Sequence, residues 1–205
     1  MNSIVKDTLS ITVITLVAGL ALGIVQDITA DPIAQQQAKA KQEAYQAVFE
    51  DAESFEVFLP DETKQAVDLV TYLDENGYDA QTVDEIMTAE DASGGTLGYA
   101  FTITSSEGYG GDIQFAMGVQ NDGTLNGISI LSIEETAGLG MKADTDEFKD
   151  QFKDKKVEKF TYTKNGAAAE DEIDAISGAT ITTNAMTNGI NAGLCAFRYV
   201  EGGAQ

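Results

Sequence analysis

The first apolar pattern is a solid block: Thr8 to Gln26 carries no charge and is bounded by Asp7 and Asp27. A helix needs ~20 apolar residues to cross a bilayer, and this run approaches that length. Its Ser and Thr residues are scattered rather than gathered into a polar stripe, unlike those of a helix that packs in a soluble core. The run also exceeds the ~7–15 residues usual in the apolar part of a cleaved signal peptide, and no clear small-x-small cleavage site follows it. A membrane anchor is therefore predicted within residues 1–30. Lys6 and the start amine lie on the short side of the run, so the positive-inside rule keeps the N-terminus cytoplasmic and places the rest of the chain outside.

The pattern then loosens. From Gln35 to about Phe49 an Ala-rich polar stretch places Ala38, Lys41, Tyr45, Val48 and Phe49 at helical spacing. Between Glu43 and Asp91 there are 15 acids against Lys64 alone, interrupted by apolar residues from Phe55 to Leu73. Those interruptions argue for a folded region with an acidic surface rather than a disordered tail. Residues 31–92 are thus expected to form an acidic, helical lead-in.

Leu97 to Ser105, Ile113 to Gln120 and Leu125 to Glu134 are short β-rich runs. Asp122-Gly123 falls between the last two, a strong hairpin signal. Asp144 to Phe152 reads as a short helix and Val157 to Thr163 as a further strand. From Asn184 to Val200 the residues Met186, Ile190, Leu194 and Phe197 share one helical face. The expected fold class is α+β: a single N-terminal transmembrane helix, then one domain with an antiparallel sheet and packed helices, its core in 93–205.

Composition narrows the chemistry. In 205 residues there are 12 Lys plus Arg, 34 Asp plus Glu, no His and one Cys, for a net charge of -22. Nucleic acid is excluded as a partner, because phosphate backbones need clustered cations. His-based triads, zinc sites and cysteine-held iron–sulfur clusters lack their ligands, so no metal is expected and any redox work requires an organic cofactor. No stretch matches a calcium-binding loop, and the acids read as a solvated face.

The informative segment is Asp174-Ala175-Ile176-Ser177-Gly178-Ala179-Thr180-Ile181-Thr182-Thr183, immediately before the last helix. A glycine turn feeding hydroxyls into a helix start is common. Gly-Ala also leaves room for a bulky group near the backbone, and free N–H groups at a helix start favour a phosphate.

The order D-x-x-S-G-A-T resembles the flavinylation motif of FMN-binding domains, in which the last threonine is esterified to the phosphate of flavin mononucleotide by a separate flavin transferase. Ser132-Ile133-Glu134-Glu135-Thr136-Ala137-Gly138-Leu139-Gly140 is similar to the E-T-P-G-L-G region that lies against the flavin in the same family. With Gly108-Tyr109-Gly110-Gly111, the single anchor and the length, nearly the whole chain is similar to the G subunit of the Rnf electron-transport complex. Ile133 stands where that family often has His, and Ala137 where it usually has Pro.

The resemblance implies a covalent FMN on Thr180. Ser177, Gly178 and Ala179 would shape the phosphate turn, with Asp174 as the motif's acid. Glu135 and Thr136 would hydrogen-bond near the ring or ribityl chain, and the ring would lie against Gly138, Leu139 and Gly140. Thr182 and Thr183 read as helix-start residues rather than ligands. The implied activity is electron carriage, as one incomplete component of a cell-membrane oxidoreductase that couples ferredoxin and NAD chemistry to sodium or proton transport. Its partners would be the A, B, C, D and E subunits of the Rnf complex and, during maturation, the flavin transferase. The flavin domain would lie on the periplasmic or extracytoplasmic side. A tether suits that side, because occupancy of a reversible site falls once free ligand drops below its dissociation constant. The alternatives are the C subunit of the sodium-pumping NADH:quinone oxidoreductase, usually a longer chain, and an anchored flavin-binding sensory domain outside any pump.

Overall fold

The computed structural model describes residues 3–59 and 64–203 and divides after Ala40 into two compact units. The first is the N-terminal part of α1 (Ser3–Val48), which contains an 18-residue stretch of mean hydropathy 2.3 with none of it buried. By length and composition this helix can cross a membrane. Its hydroxyls are satisfied within the helix: Thr8, Ser10 and Thr12 each donate to the carbonyl four residues earlier, at 2.8–2.9 Å. Hydroxylic residues therefore sit in an apolar helix without an unpaired donor. The anchor and the following Ala-rich stretch, expected as distinct pieces, are one helix that continues through Pro32. A proline there removes one N–H from the ladder without ending the helix.

The second unit begins at Lys41 and is built on a five-stranded antiparallel sheet, with strand order following the chain. The strands are β1 (Ser54–Leu59), β2 (Gln81–Glu90), β3 (Thr96–Ser105), β4 (Ile113–Gln120) and β5 (Leu125–Ser132). The β4–β5 hairpin turns where Asp122-Gly123 predicts, with Gly123 at φ +87°. β1 and β2 lie within the segment expected to be a helical lead-in, so the sheet crosses the 92/93 boundary. Of that segment, α2 (Lys64–Glu75) and the end of α1 are helical. The helical reading of β1 and β2 fails because the segment buries both faces: in β2, Ile86 packs in the core cluster under α4 and Ala89 in the one under α1, among Asp84, Glu85 and Glu90.

One face of the sheet takes the last turns of α1. Ala44, Tyr45, Val48, Phe49 and Ala52 pack on a row of small residues, Ala89, Ala100 and Ala116. A Cβ at Gly118 would come within 2.8 Å of the Val48 carbonyl oxygen, so the helix end approaches the strand where the side chain is missing. Lys41 and the Tyr45 hydroxyl both reach Glu85, at 3.0 and 2.9 Å. The opposite face packs on α4 (Thr180–Gly203), which buries Met186, Ile190, Leu194 and Cys195 against Phe101, Ile103, Phe115 and Met117. A Cβ at Gly189 would lie 2.9 Å from the Phe115 ring, so this glycine sets how closely α4 can lie. Glycine costs ~0.5–1 kcal/mol in a helix interior, and here close packing offsets it. Burial pushes the Cys195 thiol above its ordinary pKa, which suits an apolar filler.

Between β5 and α4 the chain makes short elements: 3-10 turns at Gly140–Asp144 and Asp150–Phe152 flanking α3 (Asp146–Lys149), then β6 (Thr161–Thr163) paired in parallel with β7 (Glu172–Asp174). Asn191 of α4, 1% exposed, fastens this excursion to the core. Its Oδ1 accepts from Phe160 N at 2.7 Å and its Nδ2 donates to Phe160 O at 2.9 Å.

Candidate functional site

Three segments distant in sequence meet at one end of the sheet: the loop between β3 and β4, the turn after β5, and the start of α4. They enclose a cleft of about 510 Å³ lined by Tyr109, Glu135, Thr136, Leu139, Gly140, Gly178, Ala179, Thr180, Ile181 and Thr182. That volume lies within the ~300–1,000 Å³ typical of small-molecule sites.

Each wall has a local cause. After β5 the chain reverses at Thr136, whose carbonyl accepts from Leu139 N at 3.1 Å and Met141 N at 3.2 Å. Gly138 turns the corner at φ +76°, a conformation L-residues avoid. Before α4 a four-residue turn closes with Ala179 N donating to Ile176 O at 3.0 Å, and Gly178 takes its third position at φ +79°. A third-position φ near +80° marks a type II turn and favours glycine. The two turns touch: a Cβ at Gly178 would lie 3.0 Å from Leu139 Cδ2.

Thr183, fully buried, closes the second turn. Its Oγ1 accepts from Ile176 N at 3.0 Å and donates to Ala179 O at 2.9 Å. Thr180, the first residue of α4, is exposed on the cleft. The amides of the first helical turn have no intrahelical acceptor and are available to a ligand at that hydroxyl.

Glu135 is 8% exposed and its Oε1 accepts from the backbone N–H groups of Tyr109 at 2.7 Å and Gly110 at 3.2 Å. Its other oxygen faces Gly140 and Thr182. A Cβ at Gly140 would meet Glu135 Oε2 at 2.5 Å and Thr182 Oγ1 at 2.6 Å. Glu135 thus joins two walls of the cleft.

Of the residues singled out from the sequence, the structure gathers Glu135, Thr136, Leu139, Gly140, Gly178, Ala179 and Thr180 on one cleft. Gly138 shapes the turn without lining it. Asp174 and Ser177 lie on the reverse side of the Ser177-Gly178 turn, along a second cavity of about 310 Å³ with Lys142 and Gln151. The Asp174 carboxylate accepts from Ala167 N at 2.8 Å, and Asp174 N donates to Gln151 Oε1 at 2.6 Å. Asp174 therefore braces the approach to the turn. Tyr109 and Ile181 are cleft residues that the sequence reading did not assign, and Thr182, read as a helix-start residue, also lines the cleft. Glycines on both sides of Tyr109 were the available signal.

Residues 108–194 match the family described as the FMN-binding domain, and residues 1–48 match the RnfG N-terminal region. The chain is 30% identical over 202 residues to the G subunit of the proton-translocating ferredoxin:NAD(+) oxidoreductase complex of Clostridium ljungdahlii, covering 98% of this chain and 96% of that one. It is 31% identical over 192 residues to the G subunit of the Na(+)-translocating ferredoxin:NAD(+) oxidoreductase complex of Acetobacterium woodii, covering 92% and 89%. Among solved structures, Shewanella oneidensis NqrC shares the fold with a TM-score of 0.50 at 19% identity, over 59% of this chain and 61% of that one.

Proposed function

The chain belongs to the family of G subunits of ion-translocating ferredoxin:NAD(+) oxidoreductase (Rnf) complexes, and on that premise we propose that it is the electron-carrying flavoprotein of such a complex, with FMN held as a phosphoester on Thr180. The observation that carries this reading is one exposed threonine hydroxyl, at the first turn of α4, opening on a cleft of suitable size within the FMN-binding match.

The residues present suit such a group. Gly140 lets Glu135 and Thr182 close together on one wall, where a Cβ would collide with both, and Gly178 brings the turn before α4 against Leu139. Amides at the helix start can face the phosphate, and Leu139 and Ile181 offer apolar surface to a ring. When bound, the isoalloxazine supplies the redox chemistry, taking and giving electrons singly or in pairs. The chain's own residues attach and orient it. Thr180 Oγ1 is a weak nucleophile in a chain without histidine, so a flavin transferase has to remove its proton as the new oxygen–phosphorus bond forms and the bond from phosphorus to the donor's oxygen-linked leaving group breaks. Esterification leaves the phosphate singly charged, which costs less in a chain of net charge -22. Glu135 and Thr136 supply polar groups beside the ring or ribityl chain, and the turn at Gly138 presents Leu139 to it.

On this reading the flavin domain lies on the extracytoplasmic side, in contact with the other Rnf components; the single cation ahead of the apolar run supports that orientation. The test is mass spectrometry of the full-length protein from its native membranes. The peptide containing Thr180 gains one flavin mononucleotide less one water. Thr180→Val abolishes the gain and Thr182→Val keeps it. An unmodified wild-type peptide, or flavin on another residue, overturns the assignment.

A further inference from the structure

Tyr109 is 71% exposed, yet its backbone is anchored. Its N–H is held by Glu135 Oε1 at 2.7 Å. The residue two before it, Glu107, accepts from Gln81 Nε2 and Asn188 Nδ2, both at 2.7 Å, which ties the start of the loop to β2 and α4. The flanking glycines have no room for a side chain: a Cβ at Gly108 would overlap the Gly111 carbonyl oxygen, and one at Gly110 would overlap that of Glu134. A surface loop with no task at its tip needs no such fixing, because exposed loops ordinarily keep their freedom.

The ring does not stand alone. Leu139 is 42% exposed and Ile181 51% exposed, and both open on the same cleft as Tyr109. Single exposed apolar side chains are ordinary, whereas three converging on one cleft mark a surface that a ligand covers. Aliphatic side chains come from the turn after β5 and from α4, and the aromatic comes from the third segment. A planar heterocycle between them would meet an aromatic face on one side and aliphatic surface on the other. Offset stacking is the favoured arrangement of such rings. A pre-fixed backbone also lowers the ordering cost of the contact.

We propose that Tyr109 is the stacking residue of the flavin site, its phenol ring lying against the isoalloxazine, with Glu135 as the positioning residue that fixes the Tyr109 amide. This rests on the reading that the cleft holds FMN, and the test separates the two. An electron-rich phenol in contact with a flavin quenches its emission by passing an electron to the excited ring and receiving it back, with no net chemistry. Phenylalanine and leucine are poor donors in that exchange, and tryptophan is a good one.

The experiment compares full-length wild type, Tyr109→Leu, Tyr109→Phe and Tyr109→Trp, each purified from native membranes. Flavin content is fixed by intact mass, and emission lifetime is read per bound flavin. The side chain is largely in solvent, so none of these changes threatens folding. The expected result is a dim wild type, a several-fold longer lifetime of the bound flavin in Tyr109→Leu and Tyr109→Phe whatever their loading, and a Tyr109→Trp variant as dim as wild type. A Tyr109→Leu lifetime equal to that of wild type overturns the stacking role while leaving the FMN assignment intact. Absence of flavin from wild type itself overturns the underlying reading instead.

Discussion

Gly140→Ala tests whether the cleft walls are coupled through Glu135. The added methyl would sit 2.5 Å from Glu135 Oε2, 2.7 Å from Glu135 Cβ and 2.6 Å from Thr182 Oγ1. The Cβ of Glu135 is fixed by its backbone, and Thr182 is 1% exposed on the first turns of α4, so neither neighbour can retreat cheaply. Overpacking of this kind costs ~1–3 kcal/mol. If the carboxylate is displaced, the amides of Tyr109 and Gly110 lose their acceptor, and each buried donor left unpaired adds up to ~1–3 kcal/mol. Those amides are part-buried and can recover water, so the expected total is about 2–4 kcal/mol. For a domain of this size that lowers Tm by roughly 5–15 °C. Thermal unfolding of the full-length protein in detergent measures the loss. Hydrogen exchange provides the sharper test, because Glu135 must move: exchange at the Tyr109 and Gly110 amides should accelerate. If Tm falls while those two amides stay protected, the carboxylate has not moved and the coupling is wrong. An unchanged Tm would refute the steric argument itself.

Asn191→Leu removes the partner of both Phe160 backbone groups in a fully buried setting, so a loss of about 2–5 kcal/mol is expected, read as a shift in the urea midpoint. A shift worth less than about 1 kcal/mol would mean that the excursion from β5 to α4 is held by other contacts. The hairpin aspartates predict acid sensitivity. Hydrogen bonds from the Ser93 hydroxyl and from the Gly95 and Ser93 amides hold the Asp91 carboxyl below its ordinary pKa, and the Thr124 amide does the same for Asp122. Their folded-state pKa values lie below the unfolded ones, so their contribution to stability is complete above the ordinary carboxylate range and is lost as pH falls through the lowered values. NMR titration of the two carboxyls checks this, and ordinary pKa values would contradict it. Thr183→Val leaves Ile176 N without its acceptor and should lower stability by ~1–3 kcal/mol, with the Ile176 amide exchanging faster. An unperturbed Ile176 amide would show that the turn is closed by something else.

How far the sequence reveals this architecture depends on what each pattern encodes. The hairpin of β4 and β5 was legible because large apolar residues alternate and Asp122-Gly123 prescribes the turn. β1 and β2 were not, because their surroundings are so acidic that charge masked the pattern, and because β2 turns Ala89 rather than a large residue to the face under α1. α4 begins at Thr180, not at Asn184. Ile181, Thr182 and Thr183 are β-branched and of modest helix propensity, so the local signal points away from a helix, while burial of Thr182 and Thr183 against the core overrides it. Sequence neighbourhood also put Asp174 and Ser177 beside Thr180, yet a tight turn sends neighbours to opposite sides of the chain. The contact between Glu135 and Tyr109 spans 26 positions, and nothing local to either residue encodes it.

On the proposed attachment of FMN to Thr180, the same geometry accounts for the choice of one threonine hydroxyl among three. Thr180, Thr182 and Thr183 lie within four residues, and chemically their side chains are equivalent. Once α4 forms, about 100° of rotation per residue points them in different directions. Thr183 turns inward and spends its oxygen on Ile176 N and Ala179 O, so its modification would open the turn that presents the others. Thr182 is 1% exposed and pressed between Gly140 and Glu135, where an incoming phosphate would meet a carboxylate and where a transferase has no approach. Of the three, Thr180 alone is both in solvent and on the cleft. Selectivity therefore needs no recognition of the hydroxyl itself. A transferase that binds the exposed Ser177-Gly178 turn finds one reachable threonine oxygen, and a variant that kept threonine at positions 182 and 183 alone would offer it no threonine.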